Sequence, residues 1–172
     1  PKTFAKLGHD ARVILPFYKE EIKDAFKNNF RFVGSTFVDL SWRRQYVGVY
    51  EAIYDGITYY FVDNEYYFKR KGLYGHFDDG ERFAYFSKAV LEVLPLIGFY
   101  PDILHCNDWE TALAILYLKN DAVLRPELSR IKTVYTIHNI AYQGQFGKSE
   151  MESIFALPSG WYHGCLLYTS DA

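Results

Sequence analysis

Ile103-Leu104-His105-Cys106-Asn107-Asp108-Trp109-Glu110 and Ile131-Lys132-Thr133-Val134-Tyr135-Thr136-Ile137-His138-Asn139 decide the fold class. Each is a short apolar run that ends abruptly in polar residues. In the first, Pro101–Cys106 reads as a strand that turns straight into a helix running to about Asn120. Asn107 with Glu110 three residues on resembles a capping box at the start of that helix. In the second, 131–137 reads as another buried strand. Strand, helix, strand in this order predicts a right-handed βαβ unit and a parallel sheet.

Working outward, Ala11–Pro16 is a further apolar run between Gly8 and Pro16, the pattern of a buried strand. Residues 17–29 are charged and amphipathic, suited to a short helix. From Phe30 to Val62 the chain turns β-branched and aromatic. Asp55-Gly56 between Val47–Tyr54 and Ile57–Val62 is a hairpin signal, so 30–62 reads as an antiparallel β excursion. Residues 64–80 read as a loop. A helix capped by Asp79 is expected to run to about Ile97, burying Phe83, Phe86, Val90, Val93, Leu94 and Ile97, with Gly98 as its stop. The fold class is therefore α/β: a Rossmann-like parallel sheet with flanking helices and a β-hairpin excursion.

Composition narrows the function classes. The chain has 172 residues, of which 49% are apolar and 23% charged, with a net charge of −2. These values exclude a disordered chain, a collagen-like chain and a disulfide-stapled miniprotein. No basic stripe marks a nucleic-acid footprint. Aromatic residues reach 19%, which suits either a packed core or a surface that stacks on sugars. Cys106 and Cys165 stand far apart without CxxC spacing, which points to a reducing compartment. No apolar run is long enough to span a bilayer and no apolar leader opens the chain. The opening, Lys2 to Gly8, reads as the last turn of a helix closed by a left-handed glycine. Such a start suggests a piece of a longer chain.

Ligands of an open parallel sheet bind beyond the carboxyl ends of its strands. Two polar clusters fall there: His105-Cys106-Asn107-Asp108-Trp109, and His138-Asn139 with the loop to Gln143-Gly144. Adjacent strands would bring them side by side, as a polar small-molecule site requires. Structural readings stand beside the functional ones. Asp108 can serve the helix N-terminus, His138-Asn139 can be a self-satisfied turn, His105 can pack under its turn, and Trp109 can be core. The histidines and Cys106 lack the compact spacing of a zinc site. The chain has no GxGxxG, no P-loop and no GxSxG elbow.

These clusters resemble the bacterial glycogen synthase and plant starch synthase family. Pro101–Trp109 followed by Thr111-Ala112 is similar to one family segment, and Thr133–Gly144 to the next. Gly8–Pro16, Leu73-Tyr74-Gly75 and Glu81–Ser87 match in the same order, so the resemblance covers about residues 1 to 164. It implies the GT-B fold, two Rossmann-like domains facing across a cleft. Residues 1–164 would be part of the N-terminal, acceptor-side domain, with the first strand and its Lys-x-Gly-Gly loop absent and the C-terminal domain missing as a partner. Residues 165–172 do not match and would be a foreign tail.

The resemblance also implies a chemistry: glucose moves from ADP-glucose to the non-reducing end of an α-1,4-glucan, glycogen or starch, with retention. By this likeness His138 lies closest to the anomeric carbon, Asp108 and Asn139 bind sugar hydroxyls, and Tyr85 lines the cleft. Gln143 is a further binding candidate from the same loop. No metal, cofactor, nucleic acid or membrane is implied. The location would be the cytoplasm in a bacterium, or the plastid in a plant. Two alternatives stand: a UDP-sugar transferase of the same fold, and a non-catalytic glucan-binding module.

Overall fold

The computed structural model describes residues 1–23, 26 and 29–161. The chain divides into two units. The first comprises Pro1–Phe37 and Tyr46–Gly75, and the second Val38–Gln45 and the chain from His76 onward.

The first unit opens with α1 (Lys2–Lys6) and β1 (Arg12–Pro16). α1 ends as its sequence predicts. Gly8 takes φ 88°, its N–H bonds Ala5 O, and His9 N–H bonds Phe4 O at 3.1 Å, the pair of a Schellman motif. Between β1 and the next strand the described residues include a 3-10 turn at Lys19–Glu21 rather than an α-helix; residues 24, 25, 27 and 28 of that span lie outside the described residues. Then come β2 (Arg31–Leu40), β3 (Arg43–Tyr54) and β4 (Ile57–Asp63). β3 and β4 are antiparallel around Asp55 and Gly56, whose φ values of 50° and 74° are those the tight hairpin turn demands.

The strand order is β1-β4-β3-β2, with β1 parallel to β4 from Arg12↔Thr58 to Pro16↔Val62. The β excursion is therefore built into the sheet that holds β1, a mixed sheet rather than a purely parallel one. β1 is an edge of this ladder. Its core is aromatic: Phe17 packs on Phe30, Tyr50 and Phe61 with ring centroids 4.8, 5.0 and 5.4 Å away. Val47, Val49 and Val62, on the opposite face of the sheet from Tyr50 and Phe61, are fully buried as well. The aromatic excess is divided: Phe17, Tyr60, Tyr67 and Phe68 are buried in this unit, while Phe32, Phe37, Tyr54 and Tyr66 are exposed. After β4, Asn64 caps the one-turn helix α2 (Glu65–Phe68), its side chain accepting from Tyr67 N–H, inside the stretch expected to be loop.

The second unit is built on α3 (Asp79–Leu96). The expected apolar stripe is present, but Ala84, Tyr85, Ser87, Ala89 and Leu91 are buried as well, so α3 is covered nearly all round. Asp78, one residue earlier than expected, holds the cap position. Asp79 instead accepts from His76 N–H at 3.0 Å and pairs with the buried Arg82. Gly98, at φ 60°, closes the helix, with Phe99 N–H on Leu94 O and Gly98 N–H on Pro95 O. Pro95 is tolerated because it lies in the last turn. β2 and β3 end in this unit at residues 38–45, held by the Arg43–Glu81 ion pair and by Lys88 Nζ donating to Asp39 O.

β5 (Ile103–Asn107), α4 (Trp109–Asp121) and β6 (Lys132–Thr136) then form the predicted βαβ unit. β5 and β6 are parallel, from Ile103↔Lys132 to Asn107↔Thr136. α4 packs on α3, and a short α5 (Lys148–Ser153) follows. Residues expected to be buried on these strands are open: Ile103 is 56% exposed, Val134 42% and Ile137 45%. Ile103 and Val134 share their face of the ladder with His105, Asn107, Lys132 and Thr136, and that mixed face is open among the described residues.

Candidate functional site

The register of β5 and β6 sets the site. Asn107 and Thr136 are paired as the last residues of neighbouring parallel strands, so the chain beyond each leaves from the same edge. Asp108 N–H donates to Thr136 O at 2.9 Å and carries the ladder one step further. Asp108 itself sits at φ 56°, ψ 177°, a region nearly closed to side-chain-bearing residues. Holding it there costs about 1–3 kcal/mol, and such strain concentrates at functional turns.

That strained turn aims the carboxylate across to the other strand. Asp108 Oδ1 accepts from His138 N–H at 2.6 Å and from Asn139 N–H at 3.4 Å. Asp108 occupies the cap position of α4, yet its side chain makes no cap bond there. The carboxylate serves the second cluster instead of the helix. The predicted capping box is not formed either. Thr111 takes its place: Oγ1 accepts from Asn107 N–H at 2.7 Å and donates to Asn107 O at 2.7 Å.

The two clusters therefore converge, as the strand pattern predicts. His138 Nε2 lies 3.0 Å from Asn107 Oδ1, and His105 Nε2 lies 2.7 Å from Thr136 Oγ1. His138, Asn139, Asn107 and His105 are all exposed. His105 is thus not packed under its turn. Asn139 also does the bland work expected of a turn residue. Its Oδ1 accepts from Ala141 N–H at 3.1 Å, and Tyr142 N–H bonds its carbonyl. Gln143 Nε2 donates to Ile140 O at 2.8 Å, within the same loop.

Tyr85, which the resemblance places on the cleft, is fully buried among the described residues, because α3 is enclosed on nearly every side. Trp109 is half-buried and packs within the protein, meeting Phe83 edge-on at 5.1 Å and Phe146 at 5.8 Å. Asn107 is the residue that sequence reasoning placed in the wrong role. Its signal was position, one residue before Asp108 at the same strand end.

The electrostatics follow burial. Cys106, on the covered side of β5, has its thiol pushed up to about 11 by burial, with a hydrogen bond from Thr111 opposing. It is no nucleophile at neutral pH. Burial also raises the Glu110 carboxyl, its own backbone bond opposes, and the charges of Asp108 and Asp79 add to the rise. Among the described residues no three His, Cys, Asp or Glu side chains gather as metal ligands would. No described helix is long and apolar enough to cross a membrane. A cavity of about 180 Å³ lined by Leu40, Trp42, Arg43, Glu81, Ser153 and Ile154 contains none of the predicted residues.

A polar, exposed cluster at the carboxyl edge of a parallel ladder, flanked by helices, places the chain in the α/β class, in which ligands bind beyond the strand ends. Residues 1–171 match the family described as the starch synthase catalytic domain, and the chain belongs to that family. It is 46% identical to the glycogen synthase of Geobacillus thermodenitrificans, covering 100% of this chain and 37% of that protein. It is 48% identical to the glycogen synthase of Clostridium acetobutylicum, covering 95% of this chain and 34% of that protein. Among solved structures it is similar to the catalytic domain of starch synthase IV from Arabidopsis thaliana bound to ADP and acarbose. The TM-score there is 0.81 and the identity 30%, over 93% of this chain and 33% of that chain. The fold is that of the N-terminal half of a GT-B starch synthase catalytic domain. The chain spans about a third of the length of these relatives.

Proposed function

We propose that this chain is the acceptor-side part of a retaining glucosyltransferase that moves glucose from ADP-glucose to the non-reducing end of an α-1,4-glucan. The observation that carries this reading is the Asp108–His138 contact at the joined ends of β5 and β6, in a chain of the starch synthase family. The names of its relatives, and the ADP and acarbose held by the Arabidopsis enzyme, support the nucleotide-sugar donor and the glucan acceptor.

Breaking a glycosidic bond with retention builds positive charge at the anomeric carbon, so electron-rich groups must face it. His138 is assigned to that place, offering its carbonyl oxygen or its imidazole. Asp108 Oδ1 is engaged by backbone N–H groups, which leaves Oδ2 to accept a sugar hydroxyl. Asn139 Oδ1 is engaged in its turn, which leaves its amide nitrogen to donate to one. Gln143 is assigned a lesser part in the same loop. The chemistry proposed for these groups uses hydrogen bonds and charge, without metal or cofactor, and the proposed location is the cytoplasm of a bacterial cell.

The test is His138→Ala in the full-length gene product, assayed with ADP-glucose and glycogen. Turnover is expected to fall about 10²- to 10³-fold, the scale of losing one charge-stabilising group. Donor affinity should change far less, because the charge exists only in the transition state. Wild-type turnover in the variant would overturn the assignment.

A further inference from the structure

We propose that Asn107 is a positioning residue that locks the His138 ring in its Nε2–H form, so that Nδ1 faces the ligand as a hydrogen-bond acceptor for a sugar hydroxyl. This rests on the reading above that His138 faces the transferred sugar.

Three observations combine. First, the Asn107 side chain is oriented by its own strand: Nδ2 donates to the carbonyl of His105 at 3.4 Å. That end of the amide is therefore the NH₂ group, and the other end is the oxygen. Second, it is this oxygen that lies 3.0 Å from His138 Nε2. A carbonyl oxygen can only accept, so Nε2 must carry the hydrogen. A neutral imidazole with its proton on Nε2 has a lone pair on Nδ1. Third, among the described residues Nδ1 of His138 has no hydrogen-bond partner, and the residue is exposed. The acceptor is left open toward the side from which a ligand arrives.

The backbone reinforces the arrangement from both ends. Asn107 is pinned by the two bonds of its main chain to Thr111 Oγ1, and His138 by its N–H on Asp108 Oδ1. Ring and clamp thus stand on two neighbouring, paired strand ends. This is the logic by which the partner of one ring nitrogen decides what the other presents. A hydroxyl meeting His138 must then donate its proton rather than receive one. The preference runs opposite at Asn139, whose spare amide nitrogen donates.

The experiment reads the tautomer directly, by ¹⁵N NMR of the full-length gene product labelled at histidine, with His138 assigned by its loss in His138→Gln. The expected spectrum has an unprotonated-type shift at Nδ1 and a protonated-type shift at Nε2. Asn107→Leu removes the acceptor at similar size, and the two shifts should move toward each other as the tautomers mix. Asn107→Asp keeps an oxygen at the same place and should restore the Nε2–H form. In parallel, glucosyl transfer by Asn107→Leu should drop about 10- to 100-fold, the usual effect of removing the group that orients a functional histidine. Asn107→Asp should recover part of it. A protonated Nδ1 in the unmutated protein overturns the proposal, and needs no variant to fold. Unchanged shifts in Asn107→Leu overturn it too, whatever the turnover. Mixed tautomers with unchanged turnover uphold the clamp and overturn the sugar-facing reading beneath it.

Discussion

Asp108 combines two roles that pull against each other. Its carboxylate ties down His138 and Asn139, and its backbone pays for that aim with a conformation suited to glycine. Substitution separates the two. Asp108→Ala and Asp108→Gly both lose the carboxylate, but only glycine relieves φ 56°. The glycine variant should therefore be the more stable of the two by about 1 kcal/mol. Thermal midpoints in the reverse order would show that the turn is unstrained. Glu110, two residues on, makes a pH prediction. Burial and neighbouring carboxylates raise its carboxyl above the ordinary value. The folded state then holds a proton that the unfolded state has released, so stability falls as pH rises through that window. Glu110→Gln removes the penalty. The variant should be more stable than the parent at pH 7 and equal to it near about pH 3, where both states are protonated. A pH-independent difference in denaturation midpoints would point to packing instead.

At the scale of elements, the loop between β6 and α5 is placed by close approach to two helices. A Cβ on Gly144 would come within 2.2 Å of the Trp109 ring at the start of α4, and Gly144 holds φ 60°. A Cβ on Gly80 in α3 would come within 2.5 Å of the Phe146 ring. Both glycines sit where an aromatic side chain already fills the space. The loop that begins at His138 is thereby anchored on the same helix that follows Asp108. Gly144→Ala should cost about 1–3 kcal/mol from overpacking, with further strain from the left-handed backbone. It should also weaken glucosyl transfer in the full-length gene product by moving the His138 loop. A thermal midpoint equal to the parent's would show that the Trp109 ring swings aside freely.

For the molecule as a whole, the charges decide what the chain can do alone. The hydrogen bonds of His105, Asn107, Asp108, His138 and Asn139 run to Thr, Asp, Asn and backbone groups, with no Lys or Arg among them. A nucleoside diphosphate leaving group needs cations or clustered N–H donors to hold its developing charge. The 172-residue chain, a third of the length of its relatives, should therefore release no ADP from ADP-glucose at an enzyme's rate. It should also self-associate, because among the described residues β1 is an edge strand and Ile103, Val134 and Ile137 are open. Incubation with ADP-glucose and glycogen, and light scattering of the purified chain, check the two outcomes. Rapid ADP release would mean that the site is complete in these residues. Residues 165–172, expected from sequence to be a dispensable tail, lie outside the described residues.

What the sequence determined by itself was local. Asp55-Gly56 specifies its turn because few residues accept two successive positive φ values. Gly8 and Gly98 end their helices for the same reason. The apolar runs of β5 and β6 with a helix between them specify a parallel pair, and so the meeting of Asp108 with His138. What only the tertiary structure decided was non-local. β1 chose β4 as its neighbour, although nothing in a five-residue run names its partner. Tyr85 went inside because α3 is covered on sides that its own periodicity does not reveal. Asn107 turned from a helix cap into a clamp because strand register, not sequence spacing, puts its amide against the His138 ring. Backbone conformation is settled within a few residues, where each amino acid's steric limits act. Partnership across strands depends on surfaces assembled from distant parts of the chain, which local sequence does not encode.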